Sequence, residues 1–86
     1  MDTRLLRSFL TVAHLGSFTA AAVELGRTQS TVTSHLQKLE HQLGDSLLDR
    51  LPTGVVLTEL GARILPHAED ILAAEDRLQG LPAAES

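Results

Sequence analysis

Cysteine, tryptophan and tyrosine are absent from this chain, and phenylalanine occurs only twice, at Phe9 and Phe18. The lack of cysteine excludes disulfides and thiolate metal centres, and it fits a reducing compartment. With so few aromatics, a core has to be assembled from Leu, Val, Ile and Ala. Long apolar runs are missing too: nothing approaches the ~20 residues of a membrane helix. The charged start at Asp2, Arg4 and Arg7 lacks the apolar stretch of a signal peptide. A cytoplasmic protein without membrane attachment is the expectation.

Positive charge is also scarce. The net charge is −4, which counts against nucleic-acid binding, because such proteins usually carry a basic footprint. The distribution softens the objection. Residues 1–56 hold five basic side chains (Arg4, Arg7, Arg27, Lys38, Arg50) and five acidic ones (Asp2, Glu24, Glu40, Asp45, Asp49). The acid excess therefore falls on residues 57–86. With 86 residues the chain is one small domain or a piece of a longer protein. A chain this short buries only about 60–65% of its unfolded surface, so a partner subunit would help it.

What is present is helical periodicity. Leu6, Phe9, Leu10 and Ala13 form one stripe, which predicts a first helix from about Thr3 to Leu15 with Asp2 as N-cap and Gly16 as its left-handed end. Ser17 or Thr19 caps a second helix that runs to about Leu25 and buries Phe18, Ala21, Ala22 and Leu25. Its alanines allow close helix approach. Gly26-Arg27-Thr28 forms a tight turn. Thr28 then caps a third helix that runs to Leu43, with Val32, Leu36, Leu39 and Leu43 inward and Gly44 as its stop. The first turns of that helix carry Gln29, Ser30, Thr31, Thr33 and Ser34. Such short polar side chains let a helix enter the major groove and hydrogen-bond there, as the second helix of a helix-turn-helix does.

Past Gly44 the period changes. Ser46–Arg50 and Val55–Leu57 flank Leu51-Pro52-Thr53-Gly54, a proline- and glycine-bearing connection that predicts a hairpin, the wing, at about 47–57. Thr58 and Glu59 open a long helix that continues to about Gln79. Its stripe is Leu60, Ile64, Ala68, Ile71 and Leu72, widened by Leu65 and Leu78. Pro66 should kink or weaken it locally. Gly80 and Pro82 close it, and Ala83 to Ser86 should fray. The expected architecture is mainly α: a winged helix-turn-helix at 1–58, a linker and dimerisation helix at 59–80, and a tail at 81–86.

In order and spacing, the chain resembles the N-terminal DNA-binding domain of LysR-type transcriptional regulators from Leu5 to about Leu78. The features that carry the resemblance are Phe9, Gly16-Ser17-Phe18-Thr19 with Ala21-Ala22, Gln29 with Val32, Leu39-Glu40 with Leu43-Gly44, Leu48-Asp49-Arg50, and Leu57-Thr58-Glu59 with Gly61. The resemblance implies a dimer formed through the linker helix, an interrupted palindrome as target, and a larger effector-binding domain beyond this chain. It also implies tetramers of the full-length parent, which can bend DNA. The recognition helix departs from the family pattern. Where the family commonly has Ser-Gln-Pro-Ala-Val-Ser-Arg, this chain has Thr28-Gln29-Ser30-Thr31-Val32-Thr33-Ser34, and the wing tip lacks the usual Arg.

The candidate DNA contacts are Thr28, Gln29, Ser30, Thr31, Thr33, Ser34, Lys38, Arg50 and Thr53. Gln29 can pair bidentately with adenine, and Ser30 or Thr33 can meet base edges or thymine methyls. First-turn polar residues also cap backbone donors, which is their plain explanation. Lys38 reaches a phosphate or is simply a solvated lysine. Arg50 approaches a phosphate or pairs with Asp49 or Glu40. Arg27, at the turn, touches a phosphate or is simply a solvated loop residue. Thr19 either helps to bind a phosphate at a helix start or only caps it. The dimer contacts expected on the long helix are Ile64, Leu65, Ala68, Ile71, Leu72 and Leu78.

Four histidines invite a metal, but His14, His35, His41 and His67 include no helical i, i+4 pair, and no metal site or cofactor is expected. His35 near the reading face is the one whose protonation would tune DNA affinity, and a plain surface histidine is its alternative. No nucleophile-base pair or phosphate-binding glycine loop points to an enzyme. The competing account is a winged-helix protein-interaction module with little DNA affinity, for which the poor basic content speaks.

Overall fold

In the computed structural model, which describes residues 1–82, each of four helices begins at a side chain that accepts a backbone N–H. Asp2 Oδ1 takes the Arg4 N–H at 2.9 Å and opens α1 (Thr3–Leu15). Ser17 Oγ takes that of Ala20 at 3.0 Å and opens α2 (Phe18–Leu25). Thr28 Oγ1 takes that of Thr31 at 3.1 Å and opens α3 (Gln29–Leu43). Thr58 Oγ1 takes that of Gly61 at 3.0 Å and opens α4 (Glu59–Gln79). Such caps satisfy donors that no helix can satisfy internally. Ser17, not Thr19, is thus the cap of α2. Gly16 (φ 66°) and Gly26 (φ 64°) end α1 and α2 in the left-handed region, where the chain turns back on itself.

Between α3 and α4 lies the hairpin of β1 (Leu48–Leu51) and β2 (Gly54–Leu57), antiparallel from Leu48↔Leu57 to Leu51↔Gly54. The connection is therefore Pro52-Thr53 alone, shorter than the four residues the sequence suggests, because Leu51 and Gly54 still pair. The strand also starts later than Ser46. The Leu47 carbonyl accepts the Thr58 N–H at 3.0 Å, but the Leu47 N–H turns to Glu40 Oε2 at 2.8 Å instead of across the hairpin.

The core sits where α1 meets the other three helices. Phe9, Leu6, Val12, Ala21, Val32, Leu39 and Leu47 are almost fully enclosed, and Ala22 beside Ala21 keeps α2 close to its neighbours. Four helices and a two-stranded wing in this order make a winged helix-turn-helix extended by a long helix.

α4 is continuous through the exposed Pro66. It runs antiparallel along α1: His14 meets Glu69 at 3.8 Å, Arg7 meets Glu75 at 3.0 Å and Asp76 at 3.1 Å, and the Thr3 hydroxyl donates to Glu75. The Thr3 hydroxyl and the Arg7 guanidinium hold the Glu75 carboxyl below its usual range. Ala68 and Leu72 are buried against the core at 1% and 5% exposure. This corrects their expected place on a dimer seam: they face α1 of their own chain. At the other end of the helix, a methyl group on Gly61 would overlap the Leu47 carbonyl, so α4 starts in direct contact with the root of the wing. The expected fraying of Ala83 to Ser86 lies outside the described residues.

Candidate nucleic-acid interface

α3 buries Val32, Leu36 and Leu39, which turns the opposite side of the helix outward. Gln29 and Ser30 are exposed there, Thr33 and Ser34 are half-buried, and Gln37 is exposed. Thr28 and Thr31 have their hydroxyls engaged with each other at 2.9 Å, at the cap. Their first role is thus to start the helix.

The wing brings one cation to this face. Side chains alternate along a strand, so Arg50 points away from the side that carries Asp49 and Leu51. Its guanidinium lies 3.9 Å from the centroid of the Phe18 ring, at the start of α2. This cation–π contact replaces the ion pairs with Asp49 or Glu40 that the sequence offers. Glu40 is occupied elsewhere: besides the Leu47 N–H, its Oε2 accepts from Ser46 Oγ at 3.2 Å. Gln29, Ser30, Thr33, Ser34, Gln37 and Arg50 together line a shallow cleft.

A second cleft separates the wing tip from α2, and its walls include Ser17, Thr19, Gln29, Arg50 and Thr53. The Val55 N–H donates to the Gly16 carbonyl at 3.1 Å, which ties the hairpin to the α1–α2 turn and fixes the width of that cleft. On the helical side of that cleft, Thr19 Oγ1 donates to Gln29 Oε1 at 3.3 Å. Thr19 therefore orients Gln29. Lys38 lies on the far flank of α3, beside Ser34, His41 and Gln42.

The basic residues are sorted in a way that composition hides. Arg4 is held by Asp2, and the Arg4 hydrogen bonds keep the Asp2 carboxyl down at about 2. Arg7 is held by Glu75 and Asp76. Among the described residues Arg27, Lys38 and Arg50 form no ion pair, and all three stand on or beside α3. The head is neutral in sum, yet Arg50 and Lys38 flank the exposed face of α3 and Arg27 stands at its start, on the side of His35.

His35 takes a different place from the one expected on the reading face. Its Nδ1 meets Ser8 Oγ of α1 at 2.7 Å, and Ser8 is 2% exposed. Burial, then the nearby Arg27 and Arg4, push its pKa down. Along α4, Ile64 and Leu65 are half-buried against the core, whereas Ile71 and Leu78 are 44% and 70% exposed. Among the described residues no cluster of His, Asp or Glu could hold a metal ion.

Three contacts escape the sequence, whereas a fourth feature, the exposed Gln37, does not. The Phe18–Arg50 and Thr19–Gln29 contacts join residues from different elements, and no periodicity signals such pairs. The clamp of Arg7 on Glu75 and Asp76 is equally non-local. Gln37 was findable, since it continues the i, i+4 series of Gln29 and Thr33.

Comparison with known proteins agrees with this geometry. The family description "Bacterial regulatory helix-turn-helix protein, lysR family" matches residues 3–62. The HTH-type transcriptional activator TtdR of Escherichia coli (strain K12) is 45% identical over 73 residues, which is 85% of this chain and 24% of TtdR. The chain thus spans about a quarter of the length of such relatives. Among solved structures, the CbnR DNA-binding domain in complex with DNA superposes with TM-score 0.85 at 38% identity, covering 92% of this chain and 91% of that one. The BenM DNA-binding domain bound to catB site 1 DNA gives 0.85 at 35% identity, covering 91% and 88%.

Proposed function

The chain belongs to the bacterial regulatory helix-turn-helix proteins of the lysR family, and from that premise we propose that it is the DNA-binding and pairing segment of a transcription regulator. Residues 1–58 bind double-stranded DNA and residues 59–80 pair two copies. α3 enters the major groove with Gln29, Ser30, Thr33 and Ser34 toward the bases. Thr28 and Thr31 stand at its entry. Arg50 and Lys38 meet phosphates on its two sides, and Thr53 at the wing tip follows the minor groove. Phosphate contacts fix the register, and base-edge contacts read sequence.

The observation that carries this is the placement of Arg50 and Lys38, unpaired, on the two flanks of the polar face of α3, with Arg27 unpaired at the turn that precedes it. Support for pairing comes from Ile71 and Leu78, which α4 leaves exposed after Ala68 and Leu72 are covered by α1. A twofold pair presents two α3 helices to an interrupted palindrome. Such a regulator works on the bacterial chromosome, in the cytoplasm, and tetramers of its longer parent would place four heads on DNA.

Fluorescence anisotropy of the 86-residue chain on DNA from upstream of its own gene tests this, with a scrambled duplex beside it and at two salt concentrations. Tight, salt-sensitive binding that prefers the native duplex is the expected result. No binding at low salt, with the chain dimeric by sedimentation, would sink the proposal in favour of a protein-interaction module.

A further inference from the structure

We infer that Gln37 is a base-reading residue that extends the specificity face of α3 by one turn and hydrogen-bonds the major-groove edge of an adenine. The inference rests on the DNA-binding function proposed above and names a determinant within it.

Its position is the first argument. At about 100° per residue, Gln29, Thr33, Ser30 and Ser34 fan over about 140° of the helix surface, and Gln37 falls at about 80°, close to the middle of the fan. It lies about 6 Å beyond Thr33 along the axis. It also borders the cleft shared by Gln29, Ser30, Thr33, Ser34 and Arg50. Arg50, fixed on Phe18, therefore stands beside the same stretch of groove that Gln37 faces.

Free hydrogen-bonding capacity is the second. The Gln29 carbonyl already accepts from Thr19, and the Thr28 and Thr31 hydroxyls engage each other. Gln37 makes no hydrogen bond among the described residues and is exposed. Its amide keeps two donors and a carbonyl. Adenine offers N7 as acceptor and N6 as donor in the major groove, a pattern that one glutamine amide matches bidentately. Reach is the third argument. A straight helix departs from a curved groove, so contact in the third turn needs a long side chain. Ser34 and Thr33 are too short to serve there, and glutamine is not.

Anisotropy with the 86-residue chain and a panel of duplexes tests the inference. In the panel each adenine of the half-site is replaced in turn by 7-deazaadenine, which deletes N7 and leaves pairing intact. The wild-type chain should lose about 10- to 100-fold at one adenine that Gln37→Ala no longer distinguishes, and that adenine should differ from the one assigned by Gln29→Ala. Thermal melting of Gln37→Ala should match wild type. A Gln37→Ala variant that keeps every preference, or that loses affinity equally on all duplexes, overturns the inference, since the latter is the mark of a phosphate contact. A wild-type chain indifferent to the whole panel overturns adenine reading by Gln37 and by Gln29 alike, and leaves contacts of Ser30 or Thr33 to thymine methyls untouched. Preferences lost in Gln29→Ala but intact in Gln37→Ala overturn only the role of Gln37.

Discussion

The guanidinium of Arg50 rests 3.9 Å from the centre of the Phe18 ring, so the wing and the start of α2 hold one cation between them. A free arginine side chain carries about 2 kcal/mol of rotamer entropy. Stacked on a buried ring, it loses part of that freedom before any ligand arrives. Arg50→Ala should weaken binding on native and scrambled duplexes alike and lower the slope of log affinity against log salt by about one. Phe18→Leu keeps the cation and most of the apolar volume. It should weaken binding less and leave the slope nearly unchanged. A salt titration of both variants separates these effects.

Thr19 Oγ1 donates to Gln29 Oε1, so under the proposed function its effect on DNA binding runs through Gln29. Gln29→Ala should cost about 1–3 kcal/mol of discrimination at one base pair, with little effect on scrambled duplex. Thr19→Val removes only the hydroxyl that orients the amide. It should give a smaller loss at the same base pair, and competition titration on single-site variants reads both. A loss at a different base pair would disconnect the two residues.

Gly61 tests how tightly α4 meets the wing. An alanine gains up to about 1 kcal/mol in helix propensity, but its methyl overlaps a backbone carbonyl that has no rotamer to escape into. Gly61→Ala should therefore destabilise the fold by a net of about 1–3 kcal/mol in urea denaturation.

His35 links stability to pH. Its pKa is lowered in the folded chain, so the unfolded chain takes up the proton first as pH falls. Its contribution is complete above the unfolded pKa of about 6.5 and declines as pH drops from there toward the folded pKa. The groups that face it are Asp2, Arg4 and Ser8 from the α1 side, Arg27 from the turn, and Lys38 on α3. Urea midpoints between pH 8 and pH 5 should fall more steeply for wild type than for His35→Gln.

α4 has two apolar sides, one covered by the core and one exposed. Leu72→Ala should lower the stability of the folded chain by about 2–5 kcal/mol. Leu78→Ser should leave the melting of dilute protein unchanged and weaken self-association, measured by sedimentation across a concentration series.

The elements were legible because their signals are local. Asp2, Thr28 and Thr58 mark helix starts, Gly16, Gly26 and Gly44 mark ends, and Val32, Leu36 and Leu39 carry the period of α3. The outward placement of the polar residues at the start of α3 was legible for the same reason. The division of labour along α4 was not. Ala68, Leu72, Ile71 and Leu78 are all apolar, and only the docking of α1 decides which are covered. Charge misled in the same way, because a net value hides that Arg4 and Arg7 have carboxylate partners whereas Arg27, Lys38 and Arg50 do not.

The bonds from Thr3 and Arg7 to Glu75 and Asp76 make α1 and α4 one stiff lever, and α3 is bolted to the same α1 core. A stiff lever magnifies angles. In a pair joined along α4, a tilt of about 10° over an arm of about 30 Å shifts a reading helix by about 5 Å, more than one base-pair step of about 3.4 Å. In the proposed pair, the angle at which two such levers cross would therefore act as a caliper setting for the spacing of half-sites. A signal reaching that angle would re-aim both heads without altering a single side chain in either groove.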